Sequence, residues 1–168
     1  LAAKIQLLLL DVDGVLTDGS IIIDSHGEEI KRFHAHDGWG IRHLQKQGIR
    51  VGVITGRSSA ALTHRIRDLK IDIDYQGVED KLPVYEKILF QYELTDQEVS
   101  YMGDDLPDIP AMSAVGLPCC PADAANEVKA MAQYISPING GNACVRDVIE
   151  KVLKVNGHWQ YRVDVTSR

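Results

Sequence analysis

Ile5-Gln6-Leu7-Leu8-Leu9-Leu10 runs without a break into Asp11-Val12-Asp13-Gly14-Val15-Leu16-Thr17-Asp18. The apolar run Ile5–Leu10 reads as a strand buried on both faces. Such strands belong to parallel sheets covered by helices. In open sheets of this kind, ligands bind beyond the carboxyl ends of the strands. Asp11 and Asp13 therefore stand where a site is expected, and Gly14 marks the turn behind them.

The rest of the chain repeats this pattern. Val51–Ile54 and Val99–Met102 read as two more buried strands, with shorter candidates at Asp74–Tyr75, Gly116–Cys119 and Tyr134–Ile135. Between them lie helical stretches: Gly38–Gln47 behind Asp37 as N-cap, Ser59–Leu69, Leu82–Tyr92 with Pro83 in its first turn, Pro107–Ala114, Asn126–Met131 and Cys144–Val155. This alternation predicts an α/β fold, a doubly wound parallel sheet with helices on both faces. One segment departs from it. Ser20–Asp24 and Glu28–Phe33 flank the turn signal Ser25-His26-Gly27, which predicts a small β-hairpin flap within residues 17–34. Residues 1–157 then form a single domain, and residues 158–168 a tail without clear period.

Composition narrows the class. The 168 residues are 45% apolar and 25% charged, enough for one globular core. The net charge is -6, and lysine and arginine are scattered rather than patched, which argues against nucleic acid. No apolar stretch nears the roughly 18 residues of a membrane span. Cys119, Cys120 and Cys144 are an odd set without C-x-x-C spacing, which argues against a disulfide framework or a zinc site. That usage suits a reducing compartment, and with no signal-peptide pattern the cytoplasm is the expected location.

The other strand ends carry more polar groups. Val51–Ile54 ends in Thr55-Gly56-Arg57, and Val99–Met102 ends in Gly103-Asp104-Asp105 with Asp108 following. Lys81 opens the helix after Asp74–Tyr75. Acids converging on one edge repel each other, and a hard divalent cation such as Mg2+ relieves that repulsion. Asp11 and Asp104 are its natural side-chain ligands. A carboxylate can attack phosphorus to give an aspartyl phosphate, and the charge that develops on the phosphoryl oxygens calls for cations and amides. Lys81, Thr55 and the Gly56 amide answer that need. Asp13, two residues after Asp11, is placed to exchange a proton with the leaving oxygen and the attacking water. Asp105 and Asp108 are expected to support these groups rather than react.

In this order, Asp11-Val12-Asp13-Gly14-Val15-Leu16-Thr17-Asp18, Thr55 in Val-Ile-Thr-Gly-Arg, Lys81, and Gly103-Asp104-Asp105-Leu106-Pro107-Asp108 resemble the four motifs of the haloacid dehalogenase (HAD) superfamily. The hairpin, His34-Ala35-His36-Asp37-Gly38-Trp39-Gly40-Ile41, Ile54-Thr55-Gly56-Arg57 and Gly140-Gly141-Asn142-Ala143-Cys144-Val145-Arg146 extend the likeness over nearly the whole chain. They resemble bacterial 3-deoxy-D-manno-octulosonate 8-phosphate (KDO 8-phosphate) phosphatases. The resemblance implies a HAD-like fold, Mg2+ held by Asp11, the Asp13 carbonyl and Asp104, and a phosphorylated sugar acid as substrate in lipopolysaccharide synthesis. It implies substrate contacts from Asp13, His34, Ala35, His36, Asp37, Gly38, Arg42, Thr55, Arg57, Arg65 and Lys81. Position 36 holds histidine where some members carry arginine.

Forty-one residues separate Asp13 from Thr55, and 25 separate Thr55 from Lys81. Neither gap holds a large cap domain, so closure of the site by neighbouring subunits is expected, and the resemblance implies a homotetramer. Two other functions share parts of the pattern. A receiver-type signalling domain also combines a phosphorylatable aspartate, a threonine and a lysine, but lacks an acid at the position of Asp13. An inactive scaffold would be expected to lack one of the catalytic side chains. Within the phosphatases, a sialic-acid-type nonulosonate 9-phosphate is the alternative substrate.

Overall fold

In the computed structural model, which describes residues 5–159, eight strands and six helices follow one another along the chain. The strands are β1 (Leu7–Leu10), β2 (Ile22–Ile23), β3 (Glu29–Ile30), β4 (Arg50–Ile54), β5 (Ile73–Tyr75), β6 (Val99–Met102), β7 (Leu117–Cys120) and β8 (Tyr134–Ile135). The helices are α1 (Ala35–Lys46), α2 (Ala60–Leu69), α3 (Lys81–Tyr92), α4 (Ile109–Met112), α5 (Asn126–Met131) and α6 (Cys144–Val155). Six strands form one parallel sheet in the order β5-β4-β1-β6-β7-β8. The chain steps outward from β1 through β4 to β5, then crosses to lay β6, β7 and β8 on the other side. β1 is thus the point where strand order reverses, the place at which doubly wound sheets open a crevice.

The period-2 alternation of strands explains the two cores. Leu8 and Leu10 of β1, with Val51 and Val53 of β4, pack under α1, α2 and α6. Leu7 and Leu9, with Tyr101 of β6, pack under α3, α4 and α5. All four β1 leucines are fully buried, and each contributes about 2 kcal/mol by leaving water.

Several boundaries differ from the sequence expectation for physical reasons. The first strand begins at Leu7, because Ile5 is held by the Asn156 side chain at the end of α6 instead of by the sheet: its N–H donates to Asn156 Oδ1 at 3.1 Å, and Asn156 Nδ2 donates to its carbonyl at 2.7 Å. The helix expected at Pro107–Ala114 is split into a 3-10 turn (Leu106–Asp108) and α4. Pro107 and Pro110 each withhold an N–H from a continuous helix. The helix expected from Gly38 begins at Ala35, capped by His34 Nδ1, which accepts from His36 N at 3.1 Å. Asp37 is therefore inside the first turn, not its N-cap.

The hairpin forms as predicted, with β2 and β3 antiparallel. Asp24 closes its turn, its Oδ1 accepting from His26 N at 2.8 Å and Glu28 N at 2.9 Å. His158 and Trp159 bend back so that both amides donate to Leu153 O. The remainder of the expected tail, 160–168, lies outside the described residues. No helix among the described residues is long and apolar enough to cross a membrane.

Candidate active site

A cleft of about 500 Å³ opens at the carboxyl edge of the sheet, beside β1, lined by Asp11, Asp13, Thr55, Gly56, Arg57, Lys81, Asp104, Asp105 and Asp108 together with Gly19, Val78, Glu79 and Pro107. The catalytic candidates arrive from the ends of β1, β4 and β6 and from the start of α3. Asp11 leaves β1 with its amide tied to Met102 O at 3.0 Å. Thr55, fully buried, follows β4, its amide donating to Tyr75 O at 2.9 Å and its carbonyl accepting from Val78 N at 3.0 Å. Lys81 is the first residue of α3, whose cap is Asp80.

Lys81 lies between two carboxylates, 2.9 Å from Asp11 Oδ1 and 2.6 Å from Asp108 Oδ1, with its side chain 4% exposed. Burial works against its charge, but Asp11 and Asp108 outweigh that and raise its pKa above the usual lysine value. Asp11 and Asp104 are both pushed above the ordinary carboxylate range. Burial is the main cause, followed for Asp11 by the Asp108 charge and for Asp104 by Asp11 and then Asp108. The site thus holds more negative charge than one lysine balances.

Asp11, Asp104 and Asp108 each offer an oxygen within 4.8 Å of the others. Hydrogen bonds separate their roles. Asp108 Oδ1 accepts from Lys81 Nζ and from Tyr101 OH at 3.0 Å, while Oδ2 accepts from the amides of Asp104 at 3.0 Å and Asp105 at 3.3 Å. A carboxylate has about four lone-pair sites, so the protein itself uses all of Asp108. Asp104 Oδ1 is the opposite case, buried without a hydrogen-bond partner. A buried unsatisfied carboxylate oxygen facing a second raised carboxylate fits a hard cation. Asp11 and Asp104 therefore suit Mg2+. Gly14 makes the approach possible: its φ is +95°, and a Cβ there would lie 2.0 Å from Asp104 Oδ2. Asp105 caps the turn that follows, accepting from Leu106 N at 2.8 Å.

The remaining sequence candidates lie apart from this cleft. Arg65 Nη2 reaches His34 O at 3.5 Å, and Gly38 leaves it room, since a Cβ there would meet Arg65 Nη2 at 2.4 Å. His36 and Ala35 border a different cleft with Trp39, Arg146 and Trp159. Asp37 Oδ1 accepts from Arg146 N at 2.7 Å and so holds the start of α6. Arg42 donates to Leu69 O at 3.3 Å, at the end of α2, and borders a third cleft with Arg50 and Lys70. Within one chain these residues do not join Asp11.

Three residues without a local signal of function also join the site. Tyr101 holds Asp108. Lys31 contacts Asp13 Oδ1, and Glu29 binds Arg57, Oε2 to Nη2, at 2.9 Å. A tyrosine inside an apolar strand reads as core, and a charge pair on a hairpin reads as solvated.

The sequence profile of haloacid dehalogenase-like hydrolases matches residues 72–149. A 3-deoxy-D-manno-octulosonate 8-phosphate phosphatase from Yersinia pestis is 43% identical over 152 residues, covering 90% of this chain and 81% of that protein. A crystal structure of the Y. pestis phosphatase superposes with a TM-score of 0.91 at 42% identity, covering 94% of this chain and 85% of that one. The Moraxella catarrhalis phosphatase, solved with a magnesium ion, a phosphate ion and a KDO molecule, superposes at 0.90 with 38% identity over 94% of this chain and 91% of its own. Strand order, the cleft at the end of β1 and these likenesses agree: the chain belongs to the haloacid dehalogenase-like hydrolases, in the family of the 3-deoxy-D-manno-octulosonate 8-phosphate phosphatases.

Proposed function

We propose that this chain is a Mg2+-dependent phosphomonoesterase that hydrolyses KDO 8-phosphate in lipopolysaccharide synthesis. The observation that carries the reading is the buried Lys81 bridging Asp11 and Asp108 beside the unpartnered Asp104 oxygen. Asp11 attacks phosphorus, forming a bond from its carboxylate oxygen while the bond to the sugar oxygen breaks. Asp13 gives that oxygen its proton, then takes one from a water that attacks the aspartyl phosphate. Cleavage of the Asp11–phosphorus bond frees inorganic phosphate and restores both carboxyl groups. Lys81, the Thr55 hydroxyl and the Gly56 amide hold the phosphoryl oxygens, and Asp108 and Asp105 hold the loop that carries Asp104. Asp11, Asp104 and the Asp13 carbonyl would hold Mg2+, which when bound would supply positive charge against the phosphoryl oxygens.

Self-association belongs to this reading. The hairpin exposes Ile21, Ile22, Ile23 and Ile30, an apolar cluster that suits burial against another copy. His34, His36, Arg42 and Arg65, together with Ala35, then serve substrate binding from the interface of a homotetramer, while the buried Asp37 and Gly38 shape that face from within, Asp37 on Arg146 N and Gly38 under Arg65. The three described cysteines are free and buried, which supports a reducing, cytoplasmic setting.

Asp13 speaks against a receiver domain, whose phosphoaspartate persists, and a complete catalytic set speaks against an inactive scaffold. A phosphate-release assay comparing KDO 8-phosphate with nonulosonate 9-phosphates tests the substrate. Preference for KDO 8-phosphate is expected; equal or faster release from a 9-phosphate overturns it.

A further inference from the structure

The hairpin reaches the cleft through charge. Lys31, just past β3, places its ammonium on Asp13 Oδ1 and pairs with Glu29 Oε1 at 2.5 Å as an ion pair. Glu29 Oε2 binds Arg57 at 2.9 Å, and Arg57 Nε lies 4.0 Å from Asp13 Oδ2. The four groups close a ring of alternating charge, Asp13–Lys31–Glu29–Arg57. The Lys31 side chain is only 2% exposed. A lysine so buried ordinarily requires carboxylate partners, and this one has two. Two members of the ring, Asp13 and Arg57, line the cleft; the other two come from a hairpin that pairs only two residues per strand.

We propose that Lys31 and Glu29 are positioning residues for the reaction: Lys31 fixes the Asp13 carboxyl group on the leaving-group side of the cleft, and Glu29 holds Lys31 and Arg57 in place. The inference rests on the reading of Asp13 as the group that protonates the leaving oxygen. Lys31 itself does not line the cleft, so its influence passes through Asp13. Phe33, at the foot of the hairpin, packs against the core, and the ring adds an ion-pair link from the flap to the catalytic loop.

Leaving-group dependence separates this role from simple anchoring of the hairpin. An alkyl phosphate expels an alkoxide and needs the proton from Asp13. p-Nitrophenyl phosphate expels a stabilised phenolate and does not. The parameter kcat/KM reports only the steps up to phosphoryl transfer, before Asp13 acts on water. With Mg2+ present, Lys31→Met is expected to lower kcat/KM for KDO 8-phosphate by about 10²-fold, as small misplacements of catalytic groups do, and to change that for p-nitrophenyl phosphate by less than about threefold. Glu29→Gln is expected to show the same selectivity more weakly, and Lys31→Arg to restore most of the loss. If Lys31→Met fails to fold by circular dichroism, Lys31→Arg and Glu29→Gln carry the same comparison. Equal losses on both substrates, or none on either, overturn the proposal. Asp13→Asn is measured alongside: if it too fails to discriminate the substrates, the acid role assigned to Asp13 has failed and the inference falls with it. Glycerol phosphate replaces KDO 8-phosphate should the sugar prove wrong, so an error in substrate leaves this test intact.

Discussion

Asp108 shows how much of this site is support. Its four lone-pair positions receive Lys81, Tyr101 and two loop amides, so one side chain orients both the lysine that faces Asp11 and the loop that carries Asp104. Tyr101→Phe removes one donor to a charged acceptor and keeps the ring. A stability loss of about 1.5–3 kcal/mol in urea denaturation is expected, with kcat falling about tenfold because Asp108, the partner of Lys81, loses one of the groups that fix it. Unchanged kcat would show that Lys81 is held without Tyr101. Asp11, Asp13, Thr55, Lys81 and Asp104 were legible in the sequence because each follows an apolar run or opens a helix. Tyr101 and Lys31 were not, since their partners are fixed only by the sheet order and by hairpin docking.

At the scale of elements, α1 and α6 meet through a buried acid. Asp37 is 1% exposed, and burial pushes its pKa up to about 6, although the Arg146 amide, His34 and Arg65 act against the rise. A folded-state pKa above the unfolded value of 3.8 means that the native protein binds the extra proton. Stability from this group is therefore complete below about pH 4 and is lost as pH rises through about 6. The shift corresponds to about 3 kcal/mol. Asp37→Asn keeps an oxygen to accept from Arg146 N and removes the titration. Its urea stability relative to the parent is expected to improve between pH 4 and pH 6.5; a pH-independent difference would contradict the account. The sequence assigned Asp37 to the helix cap because aspartate favours that position. His34 took the cap instead, and the contact from Asp37 to α6, 109 residues away, has no local signature.

The sheet itself was readable from alternation: apolar runs at β1, β4 and β6 are buried on both faces, and the polar residues after them share one edge. What alternation does not reveal is the surface that the proposed assembly would cover. The hairpin isoleucines are the strongest indication of it. Ile22→Lys with Ile23→Lys is expected to reduce the mass seen by sedimentation to that of a smaller species, with activity on KDO 8-phosphate falling in parallel because His34, His36, Arg42 and Arg65 would lose the interface proposed for them. Full activity from a monomer would contradict the assembly.

The central claim is that Asp11 carries the phosphoryl group between substrate and water. Rapid acid quench of Asp13→Asn protein turning over p-nitrophenyl phosphate, whose leaving group needs no acid, with Mg2+, followed by peptide fragmentation in a mass spectrometer, reads this directly. One phosphoryl group on Asp11 is expected, accumulating because its release lacks a base. Inorganic phosphate released with Asp11 never labelled, or a label on another residue, would contradict it.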